Sequence, residues 1–227
     1  MHILIIIMLI LALTIVPGLW VKRVMARYHR PEDRYGFSGG ETARKLLDAL
    51  DLGQVGAEIT ESGDHYDPVE KMVRLTAENF HGKSLTAITI AAHEVGHALQ
   101  DSQAFAPLIW RTRLVKWVGP VEKTGAILMM ATPVIIGFTR LPIAGLLMVA
   151  GGLLTLGSAV VIHLLTLPTE FDASFGRAMP LLKEHDVLHP SDERHARRLL
   201  TAAALTYVSA SLMSLLNIAR WWAILRR

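Results

Sequence analysis

The stretch SLTAITIAAHEVGHALQD, residues 84–101, decides how the rest of the chain is read. It holds no proline and no glycine before Gly96, and Ser84 stands where an N-cap belongs, so it reads as a helix. On a helix His93 and His97, four residues apart, stack on one face and can share one cation. Glu94 lies beside His93 and addresses water rather than the cation. His-Glu-x-x-His is the spacing of the zincins. Neutral imidazoles leave Zn²⁺ a net positive Lewis acid, which lowers the pKa of bound water toward about 7. Glu94 is then the base that takes the proton as that water attacks a carbonyl carbon.

A catalytic zinc needs a third protein ligand and an open position. The extended pattern that places a glycine and a third histidine after the motif fails, because Gln100 and Gln103 stand there. Asp101 falls one turn beyond His97, suited either to orienting an imidazole through its second nitrogen or to plain solvation. The remaining candidates are His163, Glu170, Asp172, His185 and His189. His163 lies in an apolar run and reads equally as a packing residue, and the two later histidines sit in a charged stretch. Glu170 is preferred: it follows Pro168-Thr169, which reads as a helix start.

Working outward, the 227 residues are 52% hydrophobic and 19% charged, with mean hydropathy +0.37. Soluble chains carry about 25% charged residues. So apolar a chain is neither disordered nor an acidic tail. No cysteine is present, which excludes disulfide scaffolds, thiolate zinc sites, iron–sulfur clusters and cysteine nucleophiles. Any metal is therefore held by His, Asp or Glu. The net charge of +3 comes without a dense basic run, so nucleic acid is not expected as a partner.

The apolar residues cluster. Residues 3–20 carry no charge, lack a positive start and are followed by Trp20, Lys22 and Arg23 rather than a cleavage site. They read as a retained anchor, not a signal peptide. Residues 124–167, broken at Arg140-Leu141-Pro142, read as a membrane hairpin, and 199–219 as a fourth segment. Every Asp and Glu falls within 21–123 or 168–198, which places both stretches on one side. Lys22, Arg23, Arg27 and Arg30 make that side cytoplasmic by the positive-inside rule, although Arg226 and Arg227 then face outward. The expected fold is a mainly α membrane protein of about four transmembrane or membrane-embedded helices with a small α+β zincin-like cytoplasmic region. Its expected parts are an anchor (1–20), a zincin-like region (21–123), a transmembrane hairpin (124–167), a polar segment with the third zinc ligand (168–198) and a C-terminal membrane helix (199–227).

Asp67-Pro68 is a turn signal, and residues 71–75 alternate as a half-buried strand does. Two short strands hinged there would form a ribbon beside the zinc helix, either roofing it or holding extended substrate by main-chain hydrogen bonds. His65, Tyr66, Arg177 and Tyr207 are candidate donors to an oxyanion.

Several runs together resemble the bacterial neutral zinc metallopeptidases of the YugP type. They are Gly63-Asp64-His65-Tyr66-Asp67-Pro68, Val73-Arg74-Leu75, residues 91–100 around the His-Glu-x-x-His motif, residues 167–174 (LPTEFDAS) and residues 203–208 (AALTYV). The resemblance spans most of the chain and implies an integral membrane zinc peptidase. Residues 170–174 also resemble the Glu-Phe/Tyr-x-Ala-Asp segment of CAAX prenyl proteases and their heat-shock relatives, which implies Glu170 as third zinc ligand. Ser174 stands where that wider group has Asp, so the partner behind the metal histidines is expected from Asp101 or Asp172.

The expected activity is a gluzincin-like zinc metalloendopeptidase, multi-pass in the bacterial inner membrane. It would act on peptides or membrane proteins at the cytoplasmic face. The alternatives are a non-catalytic membrane scaffold or adaptor with a structural zinc, and a site-2-type intramembrane protease.

Overall fold

The structure, a computed structural model, describes residues 2–139, 143, 146, 149–152, 162 and 166–206. The chain divides into two compact units. One comprises Met1–Pro17, Ile109–Thr166 and Tyr207–Arg227; the other, which carries the candidate site, comprises Gly18–Leu108 and Leu167–Thr206.

Two long helices, α1 (His2–Tyr28) and α5 (Ala106–Thr139), are rich in apolar residues. Among the described residues, no helix is long and apolar enough to cross a membrane. The expected mainly α membrane fold of about four spanning helices is thereby corrected, and the multi-pass placement with it. The expected span at 3–20 is uncharged but includes Thr14, Pro17 and Gly18, and its unbroken apolar run, 3–13, is 11 residues, against about 20 for a span. The expected first hairpin arm is not a separate helix: it continues α5, which carries Arg111, Arg113, Lys116, Glu122 and Lys123 before residue 124. The second arm and the last segment fall largely outside the described residues.

The site-bearing unit is built on α4 (Leu85–Ser102). Ser84 caps it as its sequence suggests, with the hydroxyl accepting from Ala87 N–H at 3.1 Å. α4 is buried nearly all round, which explains its lack of charge before Glu94. It packs on α2 (Gly39–Ala49), whose start is fixed by a reciprocal box: Glu41 N–H donates to Ser38 Oγ and Ser38 N–H to the Glu41 carboxylate. Leu46 and Leu47 of α2 join Ile88, Ala91 and Val95 of α4 in the core.

The ribbon expected from residues 63–75 is present and gains a strand. β3 (Met72–Leu75) is central, antiparallel to β2 (His65–Asp67) and parallel to β1 (Gly56–Ile59). The β2–β3 turn is set by Asp67, whose carboxylate accepts the N–H groups of Val69 and Glu70. Val73 and Leu75 face the core. A short helix α3 (Ala77–His81) follows, tied down by Asp64, which accepts from Thr76 N–H and the Asn79 amide.

The later part of this unit is one helical passage of changing pitch. Helix α6 (166–171) runs through Pro168 rather than starting there, widens into a π-helical turn (Asp172–Ala178) and tightens again as α7 (Met179–Glu184). After a single 3₁₀ turn (Pro190–Asp192), helix α8 covers 193–206. Leu182, Leu199 and Leu200 complete the core.

Candidate metal centre

α4 and the α6–π-turn passage touch at backbone distance. A Cβ added to Gly96 would lie 2.7 Å from the carbonyl oxygen of Ala173, so only glycine permits the approach. That approach sets Glu170 opposite His93 and His97. Glu170 Oε2 lies 3.2 Å from His93 Nε2 and 3.5 Å from His97 Nε2. The imidazoles stand edge to face with centroids 4.8 Å apart. All three side chains are buried, and their candidate ligand atoms lie within 4.8 Å of one another.

The hydrogen bonds behind this group fix which atoms face inward. Ser174 hydroxyl donates to the Leu200 carbonyl (3.3 Å), which leaves its oxygen to accept from His93 Nδ1–H at 3.1 Å. His97 Nδ1–H donates to Gln100 Oε1 at 2.9 Å. With both Nδ1 atoms protonated, neutral rings turn their Nε2 lone pairs toward a carboxylate oxygen. Acceptors converging on one point repel unless a cation lies among them. Glu170 Oε1 is also buried without a hydrogen-bond partner. Burial opposes a charge on Glu170, whereas a proton on the Nε2 of His93 or His97, donated to the carboxylate, lowers its pKa below the usual carboxylate range. Two neutral imidazoles and one carboxylate fit a divalent metal, and this donor set favours zinc.

The other candidates divide. Glu94 is buried on α4 one residue from His93. Asp172 and Arg177 are joined by a 2.6 Å hydrogen bond from Arg177 Nε, and Asp172 meets the centre through Gln100, whose amide donates to it at 2.8 Å. Asp101 does not orient an imidazole. Its carboxylate accepts from Tyr66 hydroxyl (2.7 Å) and Lys71 Nζ (2.5 Å), pinning the sheet to α4. Burial and the Asp101 charge push the Tyr66 phenol far up, so it remains a neutral donor committed to Asp101. His65 is hydrogen-bonded through Nδ1 to its own turn at Gly63 (2.7 Å). His189 stacks on Tyr35, and the His185 carbonyl accepts from Lys45. His163 and Tyr207 lie outside the described residues.

Sequence reasoning missed Gln100 and Ser174 as the partners of the histidines. Helical spacing was the available signal: Gln100 lies three residues after His97, and Ser174 four after Glu170.

Helix-borne histidines facing a carboxylate from a second segment form a group that could hold a metal ion. The chain belongs to the family described as "Putative neutral zinc metallopeptidase", which it matches over residues 3–226. It is 34% identical over 203 residues to the "Putative membrane protease YugP" of Bacillus subtilis (strain 168), covering 88% of this chain and 86% of that protein. No solved structure matches. The expected cofactor, Zn²⁺, agrees with both the family and the donor set.

Proposed function

We propose that this protein is a membrane-associated, gluzincin-like zinc metallopeptidase that cleaves peptide bonds near the cytoplasmic membrane face. The observation that carries the catalytic reading is the number of donors. Among the described residues the group has three members, His93, His97 and Glu170. A structural zinc has four protein ligands, whereas a catalytic one has three and an open position.

His93, His97 and Glu170 would hold the metal. When bound, zinc supplies a Lewis acid that polarises a peptide carbonyl and acidifies water. Glu94 takes a proton from the attacking water as the water oxygen bonds to the carbonyl carbon. It returns that proton to the amine nitrogen when the C–N bond breaks. The burial of Glu94 keeps bulk water from competing for this proton. Arg177 and Tyr66 are already engaged by Asp172 and Asp101, which weakens both as oxyanion donors.

Membrane association is supported by the name of the Bacillus relative. It is also supported by α1, where exposed Ile15, Val16 and Leu19 precede exposed Lys22, Arg23 and Arg27. Such a helix favours an anionic lipid interface. Its substrates would be membrane proteins or membrane-proximal peptides. Equal cleavage of soluble and vesicle-tethered versions of one peptide would remove that part.

The deciding experiment is cleavage of a peptide library by purified zinc-loaded protein, wild type beside Glu94→Gln. The expected result is one zinc per chain in both and a rate about 10²–10⁴-fold lower in the variant. Equal rates would defeat the role given to Glu94. Absence of cleavage by zinc-loaded wild type would favour the scaffold alternative.

A further inference from the structure

We propose that Gln100 is a positioning residue that locks His97 in its Nδ1–H tautomer, the form able to give Nε2 to a metal. Asp172 and Arg177 act on the centre only through the Gln100 amide.

The amide has one workable orientation. Gln100 is fully buried, and its Nε2 donates to both the Thr169 carbonyl and Asp172 Oδ2, each at 2.8 Å. Turning it over would set its carbonyl oxygen against two acceptors, one of them charged, and its NH₂ against the imidazole. His97 Nδ1 would then have to accept, which moves the ring proton to Nε2 and aims it at Glu170. The orientation of one amide therefore selects between a ring that can bind metal and one that cannot.

The elements around Gln100 hold that orientation from outside. Asp172 is fixed by Arg177 Nε at 2.6 Å. The same guanidinium donates to Gln103 Oε1 at 2.7 Å and lies over the Phe105 ring. The arrangement is asymmetric across the centre. His93 leans on a hydroxyl, which can rotate, whereas His97 leans on an amide whose two protons are both committed. It also keeps the Asp172 charge off the Nδ1 side of the ring, because Asp172 reaches His97 through a neutral amide.

The metal arm of this inference rests on the zinc reading above; the tautomer arm does not. The test uses the full chain. Long-range ¹H–¹⁵N correlation of the zinc-stripped protein reads the His97 tautomer, and competition with a chromophoric chelator reads zinc affinity. Wild type should show Nδ1–H. Gln100→Leu should shift His97 toward Nε2–H and weaken zinc by about 10–100-fold. Asp172→Ala, which frees the amide to turn, should move both readouts the same way by less, and it carries the test if Gln100→Leu does not fold. An Nδ1–H His97 in whichever variants fold, or a shifted tautomer with unchanged zinc affinity, overturns the proposal. A wild type that shows Nδ1–H yet binds no zinc supports the lock and defeats the metal reading instead.

Discussion

The two halves of the metal centre are built on opposite plans. α4 is a regular helix, uncharged before Glu94 and buried on nearly all sides, that carries two donors on one face. The α6–π-turn passage is irregular, rich in charged and polar groups, and carries one donor. Regularity suffices for the first because His93 and His97 need only the 3.6-residue repeat to meet. The second must present Glu170 to the metal position, Ser174 to His93 and Asp172 to Gln100 within five residues, and a widened turn re-aims side chains that a plain α-helix would stagger differently.

Losing the single donor of the irregular half should produce the largest effect. Glu170→Ala removes the only carboxylate of the group. Zinc should fall well below one per chain, and peptide cleavage by about 10²–10⁴-fold or more. Metal analysis after dialysis checks the first and initial rates the second. Stoichiometric zinc in this variant would mean that the irregular half is not part of the centre.

The contact between the halves comes next. Gly96→Ala places a methyl 2.7 Å from the Ala173 carbonyl oxygen, so backbone must move. Overpacking of this kind costs about 1–3 kcal/mol. A lowered Tm, together with weakened zinc binding because Glu170 is displaced, is the expected outcome in calorimetry with and without metal. A normal Tm would show that the halves are held together elsewhere.

The same contrast explains what could be read from residues alone. The His-Glu-x-x-His helix and its Ser84 cap follow from local rules, and so does the turn at Asp67, because each depends on neighbours within four positions. Glu170 could be preferred among several candidates from its local sequence, and the resemblance singled it out, since it lies 77 residues from His93 and no periodicity links them. Asp101 stays open in the sequence between orienting an imidazole and plain solvation, because facing direction does not tell what the sheet brings: Tyr66 and Lys71 arrive from β2 and the β2–β3 turn and claim the carboxylate. β1 was invisible because Gly56–Ile59 is short and half exposed. The spanning helices failed because the uncharged run 3–20 was counted through Pro17 and because the run from Thr124, read as a separate arm, is the end of a helix that begins at Ala106 and is charged before residue 124.

A milder probe of the irregular half is Ser174→Ala. It leaves His93 Nδ1–H and the Leu200 carbonyl without their shared hydroxyl, at a cost of about 1–3 kcal/mol. Zinc should weaken by about tenfold, less than for Gln100→Leu, because a water can stand in for a lost hydroxyl more readily than for an amide with three bonds. Chelator competition on the two variants ranks them, and the reverse order would mean that His93 is the more tightly directed ligand.

The smallest effect concerns how α8, which supplies the Leu200 carbonyl, is itself anchored. Asp192, at the start of that helix, is buried and accepts two hydrogen bonds from Arg34 and one from Tyr35 hydroxyl at 2.6 Å. His195 lies 3.7 Å away, and His189 stacks on Tyr35. Burial alone would raise the Asp192 pKa, but Arg34 and Tyr35 lower it below the ordinary carboxylate value. A carboxyl depressed in the folded state contributes stability that is complete above its unfolded pKa of about 3.9 and is lost as pH falls through the folded value. The Tm of the metal-free protein should therefore decline below about pH 4, and Arg34→Met should flatten this component while lowering Tm at neutral pH. Because the site's own Glu170 also titrates low, the informative quantity is the difference between wild type and Arg34→Met at each pH. If that difference does not shrink on acidification, Arg34 stabilises α8 by packing alone, and the charge of Asp192 plays no part in holding the irregular half in place.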